Sequence, residues 1–341
     1  MNIALIVTGG TNLGYGHITR SITFYKNAPQ GISVYLFPIV KSCDYRLFPQ
    51  DKNILFTTSF TDLINKINEL SPEYIIWDTI DFDENTFFEL KKICNKHVSI
   101  SPAFRYMNQM NMVFSRNIEQ TRESNVKYYL GMQYAIFNDA CKFIPDEVYI
   151  KNLAKENLII GISMGGGDAP NKTLKILEII SELKFPLTIW VLLGEGYNHS
   201  YQNLVDVINR NNRHEIILAK TNRSMWDILS NCNVAILAGG LMLVESVYAG
   251  LPSINIFEKK WHEKTAGNTF FDKKAAISIG NIDDAESFNR LNETLTCIRN
   301  KKSILLSMRE NSKGIVDKLA SNRIYNILMN NVEIEQDRMS F

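Results

Sequence analysis

Ile3-Ala4-Leu5-Ile6-Val7-Thr8-Gly9-Gly10-Thr11-Asn12-Leu13-Gly14-Tyr15-Gly16-His17-Ile18-Thr19-Arg20 is the stretch from which the fold can be read. Residues 3–7 form a short apolar run with the length of a buried strand, and residues 18–25 can form a helix. A glycine-rich turn between strand and helix lets backbone N–H groups approach an anion at the helix N-terminus. It sets His17 in the first helical turn, where a neutral imidazole can act as a general base. The alternative is a tight strand-to-helix turn with an incidental histidine. The stretch is not a dinucleotide fingerprint, because Gly14-Tyr15-Gly16-His17-Ile18-Thr19 lacks the third glycine that close helix packing needs. It is not a phosphate loop either, since no Gly-Lys-Ser or Gly-Lys-Thr follows.

Outward from this stretch, short apolar runs alternate with amphipathic segments. Strands are predicted at 33–39, 53–57, 73–77 and 98–100, and helices at 61–70 and 83–95. Such alternation argues for parallel strands joined by crossover helices. Asp78 and Asp81 fall at the C-terminal end of a strand, the edge where open α/β sheets bind ligands; a helix N-cap is the competing role for Asp81 or Asp83. The pattern loosens over 103–149, with strands at 112–115 and 126–130, and the polar residues 145–157 read as an interdomain connection.

A second alternating series begins with a strand at 158–163 and runs into Met164-Gly165-Gly166-Gly167-Asp168-Ala169-Pro170-Asn171-Lys172-Thr173. Gly165 and Gly166 can cradle a further anion, while Asp168 and Asn171 either contact substrate or cap the helix at 174–183. Further strands are predicted at 186–193, 215–218, 234–237 and 253–256. Helices follow at 202–209, 225–229, 261–272, 284–299, 302–310 and 316–329, with a frayed tail from 331 to 341. Gly239 and Gly240 open another helix suited to phosphate, closed by Gly250 and Pro252. Glu245, a turn and a half into that helix, can accept hydrogen bonds from two adjacent ribose hydroxyls; otherwise it is a solvated helix glutamate. Met225 and Trp226 are either core or a shelf for a base. Trp261-His262-Glu263-Lys264 follows the next strand at the ligand edge, and there His262 either contacts a sugar or starts a surface helix. No chemical role is assigned to His97, His199 or His214.

With 341 residues the chain is long enough for two domains, and 45% hydrophobic and 21% charged residues are ordinary for a globular protein. A formal charge of +1 gives no electrostatic case for nucleic acid as a partner. The five cysteines are scattered and form no Cys-x-x-Cys pair, which favours reduced thiols in a cytoplasmic protein over a disulfide scaffold or a zinc site. The five histidines lie far apart, so no local metal motif is expected and no cofactor is called for. No apolar run has the length of a membrane span, and residues 3–7 lead into the glycine turn rather than a cleavage site. Membrane association is expected to be peripheral at most. The sequence thus predicts an α/β protein in two halves, 1–150 and 151–315, followed by a C-terminal segment 316–341.

Four of these motifs, in order, resemble the PseG/SpsG group of the GT-B superfamily of nucleotide-sugar enzymes. Gly14-Tyr15-Gly16-His17-Ile18-Thr19-Arg20 matches its Gly-aromatic-Gly-His-Ile-x-Arg pattern, and Gly131-Met132-Gln133-Tyr134-Ala135 matches Gly-x-x-Tyr-Ala. Residues 164–171 resemble its Met-Gly-Gly-x-Asp-x-x-Asn loop with one extra glycine. The helix from Gly240 to Glu245 is also similar to that of MurG-type N-acetylglucosaminyltransferases. The resemblance implies a GT-B fold: two Rossmann-like domains with parallel sheets facing a central cleft, UDP held by the C-terminal domain, and a last helix crossing back to the N-terminal one. It implies a PseG-like cleavage of the anomeric C–O bond of a UDP-linked diacetamido-trideoxy sugar. His17 would activate water, Glu245 would bind ribose, and the backbone near Met225 would bind uracil. The glycine loops would stabilise the leaving diphosphate without a required metal. The alternatives are an inverting glycosyltransferase that takes a sugar acceptor, and a nucleotide-sugar binding protein without turnover. The chain departs from the PseG pattern at Trp77-Asp78-Thr79, where a His-Tyr pair is usual, at Asn138-Asp139-Ala140-Cys141, and at residues 261–264.

Overall fold

The structure, a computed structural model, describes residues 1–10, 14–101, 103–117, 122–123, 125–220, 225–258, 263, 269–281 and 284–339. The chain divides into two compact units, Met1–Asn138 with Asp317–Phe341, and Asp139–Val316.

The first unit contains β1 (Asn2–Thr8), α1 (Gly16–Lys26), β2 (Ser33–Ile39), α2 (Phe60–Leu70), β3 (Tyr74–Asp78), α3 (Glu84–Ile93), β4 (His97–Ser99), β5 (Met112–Ser115) and β6 (Lys127–Leu130). All pairings are parallel, in the order β2-β1-β3-β4-β5-β6. Parallel strands covered on both faces must be apolar on both, and β1 shows why its run is continuous. Ile3, Leu5 and Val7 pack with Phe24, Tyr325 and Leu328 on one face, while Ala4 and Ile6 pack with Leu63, Ile67, Phe87 and Leu90 on the other. The C-terminal helix Ala320–Met339 therefore shares a face with α1, and α2 and α3 cover the opposite face. Side chains fix two helix starts: Ser59 accepts from Asp62 N, and Asp83 accepts from Thr86 N.

The second unit contains α4 (Asp146–Leu153), β7 (Leu158–Ser163), α5 (Lys172–Ser181), β8 (Leu187–Leu193), α6 (Tyr201–Arg210) and β9 (Glu215–Lys220). It continues with α7 (Trp226–Leu229), β10 (Val234–Ala238), α8 (Leu241–Ala249), β11 (Ser253–Phe257), β12 (Ile277–Asn281), α9 (Ala285–Asn300) and α10 (Ser303–Ser312). Its sheet is again fully parallel, in the order β12-β11-β10-β7-β8-β9.

Five sequence expectations are corrected. Residues 53–57 are not a strand: only Ile54 bridges Leu36. Leu36 N donates to Asn53 O and Leu55 N to Leu36 O, but the next ladder donor would be Pro38, which has no N–H. Residues 145–157 are not a connection but contain α4, and the second unit starts at Asp139 rather than 151. Its hydrogen bonds explain this. Cys141 Sγ donates to Glu245 O, Ile144 N to Ala249 O, and Tyr149 Oη to Asn233 O. Arg309 binds the Asp146 carboxylate and the Ile144 and Gly250 carbonyls. Finally, the segment after 330 continues the last helix to Met339, in keeping with its Glu, Gln, Arg and Met content, and that helix starts at Ala320 rather than 316. The helix anticipated at 261–272 lies largely outside the described residues.

Candidate active site

In the first sheet the chain leaves β1 toward β2 on one side and returns to β3 on the other. The crevice at the ends of β1 and β3 is thus the topological switch point, where open α/β sheets bind ligands. The glycine turn lies here. Gly10 N donates to Gly14 O at 3.2 Å, and both glycines have positive φ, 123° and 80°. Gly9 is needed for closeness, since a Cβ there would stand 2.6 Å from Ile18 Cγ1. Thr11, Asn12 and Leu13 lie outside the described residues. Gly16 begins α1 at the surface, and His17 follows with 13% of its side chain exposed.

His17 does not act alone. Its Nδ1 is 2.6 Å from Oδ1 of Asp78, the fully buried last residue of β3. Arg20, one turn further along α1, grips both Asp78 oxygens, with Nε 2.9 Å from Oδ2, and the Ser21 hydroxyl donates to Oδ2 at 2.9 Å. Burial alone would push the Asp78 carboxyl up; the Arg20 and His17 charges beside it pull it down to about 2. Asp78 is therefore ionised at neutral pH, and its short contact assigns the proton to Nδ1 of His17. Arg20 Nη2, which donates one of its two hydrogens to the carboxylate, also stands 3.0 Å from Nδ1. In the neutral ring Nε2 is then the acceptor, the form a general base requires. Thr8 and Thr79 close the strand ends with a hydroxyl–hydroxyl bond of 2.5 Å. Arg116, just after β5, has its pKa lowered to about 10 by burial and by the Arg20 charge. A cavity of about 420 Å³ opens beside the glycine turn, lined by Gly9 and residues 38–41 and 57–60.

In the second sheet the switch point lies between β7 and β10. The loop after β7 has Gly165 at φ 79° and is pinned by Gly196 N donating to Gly166 O at 2.9 Å. Asp168, 6% exposed, directs Oδ1 to Lys172 N at 2.8 Å and Oδ2 to Thr173 N at 2.9 Å. Asn171 accepts from the Tyr197 hydroxyl at 3.0 Å. Of the two roles left open for Asp168, the structure shows the cap, so the start of α5 is satisfied from within the protein. The turn after β10 is tight: a Cβ on Gly239 would overlap the Phe257 ring. Gly240 precedes α8, whose first turn has no side-chain cap and no acidic residue.

Glu245 is not a solvated glutamate. It is 5% exposed, and its Oε2 accepts from Trp226 Nε1 at 2.9 Å. Trp226 is a core residue, 3% exposed, while Met225 precedes α7 and its sulfur receives the Ser163 hydroxyl. His262 lies outside the described residues; Glu263 beside it accepts from the Ser278 hydroxyl. Of the other histidines, His97 is buried, accepts from Trp77 Nε1 at 2.9 Å, and is held down to about 4 by desolvation.

Sequence reading missed Asp78 as the partner of His17 and Arg20 as the partner of Asp78. The spacing of His17 and Arg20, three residues apart on one helix, was the available sign that they share a face. Among the described residues no group of three or more His, Cys, Asp or Glu side chains is arranged to hold a metal ion, and no helix is long and apolar enough to cross a membrane.

No family model matches the chain. An uncharacterized protein of Methanocaldococcus jannaschii is 20% identical over 274 residues, 76% of this chain and 56% of that protein. The spore coat polysaccharide biosynthesis protein SpsG of Bacillus subtilis is 23% identical over 216 residues, 62% of this chain and 61% of SpsG. The chain thus spans less than two thirds of the length of these curated relatives. Among solved structures, MurG of Acinetobacter baumannii superposes with a TM-score of 0.67 over 96% of this chain and 99% of MurG, at 14% identity. Anabaena HepE in complex with UDP-glucose superposes with a TM-score of 0.65 over 97% of this chain and all (100%) of that one, at 13% identity. The chain has a GT-B fold. It is also a distant homologue of SpsG.

Proposed function

We propose that the protein is a UDP-sugar enzyme of surface polysaccharide biosynthesis, acting in the cytoplasm, which breaks the anomeric C–O bond with inversion and releases UDP. The observation that carries this reading is the His17–Asp78–Arg20 cluster at the switch point of the first sheet of a GT-B fold. The solved complex of a similar fold with UDP-glucose supports the choice of donor. In the PseG-like version, water attacks the anomeric carbon while the C–O electron pair leaves with the UDP oxygen. Its proton passes to His17 Nε2, and Asp78 stabilises the imidazolium that forms. Arg20 holds the carboxylate in register with the ring. In the second unit Glu245 takes the ribose hydroxyls, the backbone near Met225 the uracil, and Gly239 and Gly240 the diphosphate.

A transferase version, in which His17 deprotonates a sugar hydroxyl, is favoured by a separate observation. The cavity of about 420 Å³ beside the glycine turn has the size of a small-molecule site and is bordered by hydroxyl-bearing Thr57, Thr58 and Ser59 and the half-exposed Phe60 ring. The test is UDP release from a panel of UDP-sugars in ¹⁸O-labelled water without acceptor. Rapid release with label in the free sugar establishes hydrolysis. Tight UDP binding with negligible release moves the assignment to the transferase. No UDP binding overturns the nucleotide reading.

A further inference from the structure

The cavity of about 420 Å³ beside the glycine turn has a composition that narrows what it can hold. It lies at the ends of β1 and β2, which are neighbours in the sheet, and Gly9 on its wall belongs to the turn that leads to His17. Phe60, also on its wall, is the first residue of α2 and is 42% exposed, although a first helical turn favours Pro, Asp or Glu. The ring is held in place. It makes a T-shaped contact with Phe82 at 5.5 Å, and Phe82 makes another with the buried Trp77 at 5.0 Å. Trp77 directly precedes Asp78 in β3. An exposed aromatic ring braced in this way is a platform for a pyranose: its electron-rich face attracts polarised C–H groups, and little further ordering is needed on binding.

The polar groups of the cavity set the charge of the ligand. Thr57, Thr58 and Ser59 supply hydroxyls, and among the described lining residues Lys41 is the charged one, with no Asp or Glu beside it. Asp62, one turn into α2, is already bound: it accepts from Thr58 N and from Lys66 Nζ, each at 2.9 Å. The start of α2 does not favour a dianion. Ser59 caps it and Asp62 stands in its first turn, so the partial positive charge of the helix is offset from within. One ammonium, several hydroxyls and an aromatic platform fit a sugar with a single carboxylate better than a phosphate.

We propose that this cavity is the acceptor subsite and that the acceptor is an acidic sugar, its carboxylate paired with Lys41 and its ring lying on Phe60. A free hydroxyl of that sugar is then the nucleophile. Its oxygen bonds to the anomeric carbon as the bond to UDP breaks, its proton passes to His17 Nε2, and the electron pair leaves on the UDP oxygen. The inference rests on the transferase version above and names its substrate class.

The test uses the full chain and two sugars that differ in one group: methyl β-D-glucuronide has a carboxylate where methyl β-D-glucoside has a hydroxymethyl. Binding is read by ligand-observed NMR in the wild type, Lys41→Gln, Lys41→Arg and Phe60→Ala, and UDP release from the best UDP-sugar donor is followed with each sugar present. A charge-assisted contact at an exposed lysine corresponds to about a 3- to 10-fold preference. We expect the wild type to show that preference for the glucuronide and to release UDP faster in its presence. Lys41→Gln should erase the preference by lowering glucuronide affinity alone, Lys41→Arg should keep it, and Phe60→Ala should weaken both sugars. Equal binding of the two sugars, a preference that survives Lys41→Gln, or displacement of the glucuronide by equimolar inorganic phosphate overturns the inference. So does UDP release into water that neither sugar accelerates, which leaves the hydrolase version standing. A Lys41-dependent preference in a protein that binds no UDP supports the acidic-sugar subsite and overturns the nucleotide reading instead.

Discussion

Asp78 carries more of the site than any other single residue. Its carboxylate orients His17, neutralises the buried Arg20 guanidinium and accepts from Ser21. Its pKa lies at about 2 instead of 3.8, so the folded state favours the ionised form. That stabilisation is fully present above about pH 4 and is lost as pH falls toward 2; the shift from 3.8 to about 2 is worth about 2 kcal/mol. In Asp78→Asn, Arg20 keeps its charge without a counter-charge, and denaturant unfolding at neutral pH should show a loss of about 3 kcal/mol. The variant should also lack the wild type's extra loss of stability between pH 4 and 2, and UDP release should fall by about 100-fold or more. An unchanged acid profile would show that Asp78 is not the ionised centre of the cluster. His17 was legible from its glycine neighbours, but Asp78 was not. The two lie 61 residues apart, and only the β1–β3 pairing brings them together.

Among the elements, the C-terminal helix illustrates what local pattern can and cannot tell. Its apolar positions mark a buried stripe, and Ala320, Ile324, Tyr325 and Leu328 do enter the first unit's core. Which core they enter is a matter of long-range packing. The Tyr325 ring stacks on Phe24 at 4.3 Å, and its hydroxyl donates to Phe24 O at 2.7 Å. Tyr325→Ala should therefore destabilise the first unit by about 3–5 kcal/mol, read as a shift in the unfolding midpoint; a loss under about 1 kcal/mol would mean the helix is not an integral layer. The glycine turns and most strands were equally legible, because a parallel strand buried on both faces shows as an uninterrupted apolar run. Residues 53–57 carry the same signature and fail as a strand because of a proline in their neighbour, and α4 was hidden because its surface is polar.

For the whole molecule, alternation of strand and helix was enough to indicate parallel sheets, and the glycine turns read from the sequence lie at the switch points that the strand order defines. The start of the second unit was not legible, since the contacts that recruit residues 139–153 come from Glu245, Ala249, Asn233 and Arg309, far along the chain. The nucleophile's source also escapes the sequence, because one base activates water and a sugar hydroxyl alike. The reaction as a whole is tested most directly by comparing UDP release by the wild type and by His17→Ala on the best donor of a UDP-sugar panel, with UDP affinity measured alongside. The account predicts that release falls by about 100-fold or more while UDP affinity stays within about twofold. Release at the wild-type rate in His17→Ala would contradict it.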